Sequence, residues 1–504
     1  MSDNKARRKA EFGDFQTPLS LAKEVCLLLR ELGCNPVSVL EPTCGEGNFI
    51  TASLAVFENA TSILGFDINP DYTNILETKY EDNSKVKISQ SDFFYADWEK
   101  VLGNLSDNLL IIGNPPWVTN SELASFDSNN LPEKVNFQNH SGLDAITGAS
   151  NFDISEWMLI KMLEWVRTRE ATVAMLCKTA VARKVLLHEW KNNPNSRQAR
   201  IFLINAMSDF GAAVDACLLV YNSNDRKLKV CDVYSKLSTS SKIARFGYEK
   251  NQLIARVDFY EKWGHLQKRK GEDSFTWRSG IKHDCSKVME LTQLGSFYVN
   301  NLGEQVDIEE TYLYPMMKSS DVANVNPPSR YMLVTQKFVG QETNAIKDTA
   351  PRTWNYLSEH LQYFDKRKSS IYKDKPPFSI FGVGDYSFSA WKVAVSGLYK
   401  KLNFIVVGPF DNKPVVLDDT CYFLACKNSD EAKTIATLLN SEPANEFFES
   451  LIFWDAKRPV TARILQKLSI MALARTVISD SNQMELFARP EQLRLLEQRA
   501  VYGL

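Results

Sequence analysis

Across residues 17–33 the apolar side chains Leu19, Ala22, Cys26 and Leu29 recur at helical spacing. Thr17 stands where a cap is needed, Pro18 suits a first turn and Gly33 can end the element, so the spacing predicts a helix here. The rhythm then changes. Short apolar runs at residues 37–40, 63–66, 86–88, 109–112, 173–176 and 216–221 are separated by polar and amphipathic segments. Runs of this length read as buried strands, and their alternation with helical segments predicts an α/β, Rossmann-like unit: a mostly parallel sheet with helices on both faces. Such sheets bind ligands beyond the carboxyl ends of their strands, so the residues just after each run carry the candidate chemistry.

The pattern loses its periodicity at the serine-rich residues 235–241, which marks an expected border between a first unit, 1–240, and a second unit, 241–504. Two or three units also suit a chain of 504 residues, given roughly 150 residues per domain. The second unit differs in composition. Between Arg330 and Lys401, twelve Lys and Arg stand against six Asp and Glu, interleaved with thirteen aromatics that include Trp354, Tyr356, Tyr363, Phe364, Tyr372 and Trp391. That mixture fits nucleic-acid contact, and it equally fits a half-exposed sheet with core aromatics and solvated lysines.

Bulk composition narrows the class. An apolar fraction of 44% and a formal net charge of -2 describe a folded protein, neither a disordered chain nor a polycation. The first fourteen residues are polar and carry Lys5, Arg7, Arg8 and Lys9 with no apolar stretch behind them, which excludes a signal peptide. No window reaches the ~18 apolar residues of a membrane span. Nine cysteines without a CxxC pair, and five histidines, supply neither a disulfide framework nor a zinc site; His283 and Cys285 are the nearest pair. A reducing cytoplasm, no membrane and no metal are the expectations.

After the first run comes Glu41-Pro42-Thr43-Cys44-Gly45-Glu46-Gly47-Asn48-Phe49. Gly45 and Gly47 allow backbone to pass close to a ligand. Glu41 and Glu46 would repel the pyrophosphate of a dinucleotide, whereas a cation fits. S-adenosylmethionine brings an ammonium and a sulfonium to this end and no phosphate. Asp67, followed by Ile68, closes the second run 22 positions after Gly45, where a carboxylate can accept both ribose hydroxyls. Asp92 follows the third run; it can accept from an adenine amino group while Phe93 covers a ring face. Singly, each acid reads as a turn residue, but three in succession at strand ends point to one ligand.

Asn114-Pro115-Pro116-Trp117 follows the fourth run. An aromatic amine is a poor nucleophile because its lone pair is delocalised into the ring. Two acceptors, the Asn114 side-chain oxygen and the Pro115 carbonyl, can each take one amino hydrogen and bias the nitrogen toward tetrahedral geometry. Pro115 and Pro116 restrict the backbone that presents the carbonyl. Trp117 offers a face on which an extruded base can stack. Held in line with a sulfonium methyl, the amine can attack directly, and placement supplies most of the acceleration.

The order of these motifs resembles that of the N6-adenine DNA methyltransferases of restriction-modification systems, in the TaqI-like subgroup with the catalytic domain first and a target-recognition domain second. Asp14 to Pro18 is similar to the family's N-terminal cofactor motif, Glu41 to Phe49 to its glycine loop, and Asp67, Asp92-Phe93 and Asn114 to Trp117 to the motifs that follow. Asn151-Phe152-Asp153 is similar to its next segment. The resemblance implies that Thr17, Glu41 and the loop backbone touch the methionine part of the donor, Asp67 the ribose, and Asp92 with Phe93 the adenine. Phe210-Gly211 looks like the place where the family sets an aromatic against the flipped base, with glycine here where proline is common. It also implies a mixed α+β target-recognition domain over residues 241–504, S-adenosylmethionine as donor without a metal, double-stranded DNA as substrate, and room for a separate cognate restriction endonuclease. Arg352 and the run Lys366-Arg367-Lys368 are the candidate phosphate contacts.

The alternatives are methylation of cytosine N4, of an RNA base or of a glutamine amide, all of which can use an Asn-Pro-Pro turn. The long second unit favours DNA. A bifunctional enzyme that also cleaves DNA would need an acidic metal cluster beside an ExK, for which Glu431-Ala432-Lys433 is the candidate.

Overall fold

Helix α1, Leu19–Glu31, turns Leu21, Ala22, Val25, Cys26, Leu28 and Leu29 into the core, as its apolar spacing requires. Its start differs from expectation. Pro18 holds the N-cap position and no side chain caps the helix, because Thr17 lies one residue too far upstream for its hydroxyl to reach the first free amides. The computed structural model describes residues 15–118, 153–269 and 275–477.

Downstream of α1 the chain alternates β1 Ser38–Glu41, α2 Asn48–Val56, β2 Ser62–Asp67, α3 Pro70–Lys79, β3 Val86–Gln90, α4 Trp98–Gly103 and β4 Leu109–Gly113. It continues with α5 Ile154–Trp165, β5 Ala171–Lys178, α6 Thr179–Asn192, β6 Ala199–Ile204, α7 Ala206–Phe210 and β7 Ala216–Asn222. The strands join one sheet in the order β10-β9-β8-β6-β7-β5-β4-β1-β2-β3, with β8 Val230–Tyr234, β9 Lys242–Glu249 and β10 Gln252–Ile254. The β1–β2, β2–β3, β1–β4 and β4–β5 pairs are parallel, and β7 runs antiparallel to both β5 and β6. This is the expected Rossmann-like α/β sheet. It is buried most deeply at its centre, where every residue of β4 is inaccessible.

The border near residue 240 is corrected. Residues 235–241 join β8 to the antiparallel β9 within the same sheet, and the chain divides into Met1–Val257 and Asp258–Leu504. The serines are turn formers rather than linker: Ser235 N–H donates to the Ser241 carbonyl (2.9 Å), and Ser241 Oγ donates to the carbonyls of Lys236 (3.1 Å) and Ser238 (2.7 Å).

The second unit is mixed α+β. A four-stranded sheet runs in the order Arg278–Ser279, Cys421–Cys426, Trp391–Ser396, Ile405–Val407. A six-stranded sheet places Glu290–Leu294 and Arg330–Leu333 at its centre, over a core that includes Val288, Met289, Met332, Leu333, Leu357 and Ile380. All nine cysteines are free and buried. Among the described residues no helix is long and apolar enough to cross a membrane.

Candidate active site

β1 and β4 lie side by side at the centre of the first sheet, while the chain leaves β1 toward β2 on one side and β4 toward β5 on the other. Adjacent strands whose connections part in this way open a crevice at their carboxyl ends. Glu41 ends β1 and Asn114 follows β4, so the two most informative motifs meet at that crevice.

The glycine loop between β1 and α2 is fastened on two sides. Cys44 N–H donates to the Phe66 carbonyl (2.7 Å) and Gly45 N–H to Asp67 Oδ2 (2.8 Å), while Asp67 Oδ1 accepts from Asn69 N–H (2.9 Å). Asp67 therefore braces the loop. On the other side, Glu46 N–H donates to Gln16 Oε1 (2.9 Å) and Asn48 Nδ2 to the Thr17 carbonyl (2.9 Å). Gly45 and Gly47 take left-handed conformations, φ 49° and 71°, which a side chain would strain. A Cβ would also come within 2.4 Å of Gln16 Oε1 at position 45 and 2.6 Å of Leu76 Cδ2 at position 47, so either side chain would have to shift.

Asn114 Nδ2 donates to the Phe15 carbonyl at 2.8 Å, which sets the amide and commits its donor end. Its Oδ1 is buried and has no hydrogen-bond partner among the described residues, and the same holds for Glu41 Oε2, Thr43 Oγ1 and Trp117 Nε1. Buried polar atoms are nearly always satisfied, and four of those left without a partner gather on β1, its following loop and the turn after β4, where they could serve a ligand. Among them are the amine-facing oxygen expected of Asn114 and a carboxylate suited to a cation. Burial, aided by the negative charge of Asp67, holds the Glu41 carboxyl well above the usual carboxylate range. Lys178, at the end of β5, steadies the other flank: its Nζ donates to the Trp117 carbonyl (3.1 Å) and to Asp153 Oδ2 (2.7 Å). Asn151 and Phe152, like Asp14, lie outside the described residues.

The aromatic expectations divide. Trp117 and Phe210 are brought together, ring centroids 5.2 Å apart, and Phe15 joins them at 5.7 Å and 6.4 Å. Trp117 is only 4% exposed, so its face is covered by these rings rather than open to an incoming base. Phe93 is likewise packed against Trp98 (5.1 Å) and Trp165 (5.6 Å) instead of standing free. Ile68, just after Asp67, is an apolar side chain that does stand open, 40% exposed. Asp92 Oδ1 accepts from Phe94 N–H at 2.8 Å and so shapes the turn after β3.

Phe15, Gln16, Thr43, Asn48 and Lys178 are the site residues that sequence reasoning passed over. The first two lie inside the recognised N-terminal segment, and Thr43 and Asn48 inside the recognised loop. Phe15, Gln16 and Asn48 act through bonds to or from the backbone, which side-chain patterns do not spell.

In the second unit, Lys366 and Lys368 are exposed. Arg352 is exposed but bound to Asp307 (2.6 Å) and Glu309 (3.3 Å). Arg367 is a correction. It is half-buried, donates to the carbonyls of Ser379 (2.7 Å) and Phe364 (3.1 Å), and lies 3.8 Å over the Tyr372 ring, so its donors serve the fold and not a phosphate. Removing it leaves charge-assisted bonds unmade, each worth about 1.5–3 kcal/mol. Arg367→Ala should lower the melting temperature, and thermal unfolding checks it. Glu431 lies in the first turn of helix Ser429–Leu439 with its carboxylate folded back onto Lys427 N–H, and among the described residues no group of acids, histidines and cysteines could hold a metal.

No family model matches the chain. It is 47% identical over 483 residues to the Type II methyltransferase M.NspV of Nostoc sp., an alignment that covers 95% of this chain and 100% of that protein. The Type II methyltransferase M.CvrRI of Paramecium bursaria Chlorella virus is 33% identical over 114 residues, covering 22% of this chain and 26% of that one. Among solved structures, the Type IIL restriction-modification enzyme MmeI in complex with DNA aligns with a TM-score of 0.48 and 12% identity, over 100% of this chain and 75% of that chain.

Proposed function

The chain belongs to the Type II methyltransferases, and on that premise we propose that it is a site-specific DNA adenine-N6 methyltransferase, the modification enzyme of a restriction-modification system. The observation that carries this reading is Asn114: its amide nitrogen donates to the Phe15 carbonyl, and its oxygen is buried with no partner among the described residues, as is Glu41 Oε2 at the end of β1.

The donor is S-adenosylmethionine, which supplies a methyl carbon made electrophilic by its sulfonium. Glu41 and the backbone of Gly45 to Gly47 receive its cationic methionine part, Thr17 borders them, Asp67 with Ile68 meets the ribose, and Asp92 the adenine. Phe93 supports that end from within its tryptophan cluster. Asn114 Oδ1 and the Pro115 carbonyl each accept one hydrogen of the target amine, drawing its lone pair out of the ring toward the methyl carbon. Pro116 keeps the turn rigid. Trp117 and Phe210 form the aromatic wall against which the flipped base is held, and a base reaches it by displacing one ring from the other.

The second unit reads the DNA sequence, with Lys366, Lys368 and Arg352 as phosphate contacts, Arg352 exchanging its carboxylates for phosphate. Catalytic unit first and recognition unit second is the TaqI-like arrangement. A separate nuclease in the same system and a cytoplasmic location complete the reading. Methylation of duplex libraries followed by nucleoside analysis tests it: N6-methyladenine is the expected product. N4-methylcytosine would make the target cytosine with the same Asn114 chemistry, and no labelled nucleoside would refute DNA methylation.

A further inference from the structure

The basic, aromatic stretch between Arg330 and Lys401 resolves into two kinds of residue. Of its thirteen aromatics, eleven are buried or half-buried in the second unit; Phe338, 59% exposed, and Tyr399, 40% exposed, are the exceptions. Both stand at the tips of turns. Each is next to an exposed aliphatic side chain, Val339 at 47% and Leu398 at 39%. Each is also flanked by lysine: Lys337 precedes Phe338, and Lys400 and Lys401 follow Tyr399. None of these three lysines makes a side-chain hydrogen bond or ion pair among the described residues, unlike Arg352, Arg367 and Lys392 in the same stretch.

The turns are braced from beneath. Thr335 Oγ1 donates to the Phe378 carbonyl (2.7 Å), Thr343 Oγ1 to the Pro377 carbonyl (2.6 Å), and the fully buried Gln336 accepts from Ile380 N–H (2.8 Å). Between these anchors Lys337 N–H donates to Gln341 Oε1 (2.6 Å), and Gly340 turns the chain at φ 85°. In the second turn Ser396 Oγ accepts from Leu398 N–H (3.3 Å) and Tyr399 N–H (3.2 Å), and Gly397 N–H donates to the Thr420 carbonyl (2.9 Å). Rigid backbone presenting an uncovered ring, an aliphatic side chain and uncommitted ammonium groups gains nothing for the fold from those side chains. It fits a polyanion whose interior is apolar.

We propose that the turns at residues 337–340 and 398–401 are the DNA-contacting tips of the second unit. Lys400, Lys401 and Lys337 meet phosphates, while Phe338 with Val339 and Tyr399 with Leu398 press on bases or sugars in the groove. The first turn also borders a cleft of about 620 Å³ lined by Tyr314, Lys337, Asp385, Phe388 and Lys413. Its lining holds the ammonium of Lys337 and the carboxylate of Asp385 beside the Tyr314–Phe388 ring pair (5.3 Å), and an ammonium and a carboxylate are the groups that read guanine and cytosine edges. The inference rests on the DNA methyltransferase reading and adds to Lys366, Lys368 and Arg352 a contact surface built of residues that no motif marked.

The test uses the full chain and a duplex that it methylates, with the dissociation constant followed against salt. Lys400→Ala with Lys401→Ala should flatten the log–log salt slope by about 0.9 per lost phosphate contact. Phe338→Ala and Tyr399→Ala should each weaken binding about tenfold at an unchanged slope, since an apolar contact releases no counterions. Donor affinity and melting temperature should match the parent. Wild-type affinity and slope in all three variants would overturn the proposal, as would a fall in melting temperature without loss of DNA affinity. A parent protein that neither binds nor methylates any duplex would instead remove the functional reading itself.

Discussion

Asn114→Ala is expected to slow methyl transfer by roughly 10³-fold while donor binding persists. Removal of one well-placed polar group that acts on developing charge costs about that much in other enzymes. Here the group is an acceptor whose other end is fixed: Nδ2 is held by the Phe15 carbonyl, so Oδ1 keeps one orientation without the entropy of choosing among several. Alanine removes that oxygen and loosens Phe15. It leaves the glycine loop fastened by Gln16 to Glu46 and by Thr17 to Asn48, which is why the donor should still bind. Asn114→Asp separates the two roles. It keeps an acceptor but sets a carboxylate against the Phe15 carbonyl, so turnover should fall through misplacement. Single-turnover transfer measured beside donor titration distinguishes these losses, and normal turnover by the alanine variant would end the assignment.

Much of this architecture could be read from the chain because the central strands are buried on both faces. β4 and β5 are nearly continuous apolar runs, and their ends announce Asn114 and Lys178 by position. β6 was passed over although Ile201 to Ile204 is an unbroken apolar run; Arg200, just ahead of it, has its guanidinium forked onto Asp225 at 2.5 and 3.1 Å. β8, β9 and β10 form an antiparallel extension whose serine turn imitates a linker. Glu41, Gly45, Gly47 and Asp67 were legible for a different reason: a strand end, two glycines and an acid at fixed offsets leave few conformations for the loop. Gln16 and Asn48 were not, since they act by bonding backbone across 30 and 31 positions of sequence. In the second unit composition failed for want of burial. Phe338 and Phe378 are the same residue type 40 positions apart, yet one is 59% exposed and the other 2%, and only the tertiary fold separates a tip from a core.

The second large effect concerns Glu41. Its carboxyl is fully buried at the end of β1, with Oε2 unpartnered and the charge of Asp67 nearby, and both circumstances favour the neutral form. A folded value raised above the unfolded one gives a definite sign. The carboxyl's contribution to stability is whole below its ordinary value of 4.5 and is lost as pH rises through the folded value, because the chain must then either ionise a buried group or hold a proton that the unfolded state has released. Glu41→Gln should therefore melt at higher temperature than the parent at pH 8, with the gap closing toward pH 4.5. The donor reverses the balance. A cation beside Glu41 favours its ionised form, so binding expels the proton and affinity should climb about tenfold per pH unit below the raised value, then level off. Glutamine removes both the charge and that slope. Loss of a charge-assisted bond of about 2–3 kcal/mol corresponds to roughly 30- to 150-fold weaker donor binding at pH 8. Melting curves and donor titrations from pH 5 to pH 8 measure the two effects on one variant. Equal melting temperatures throughout, or a donor affinity that ignores pH in the parent, would show that the buried carboxyl neither costs the fold stability nor holds the donor's charge.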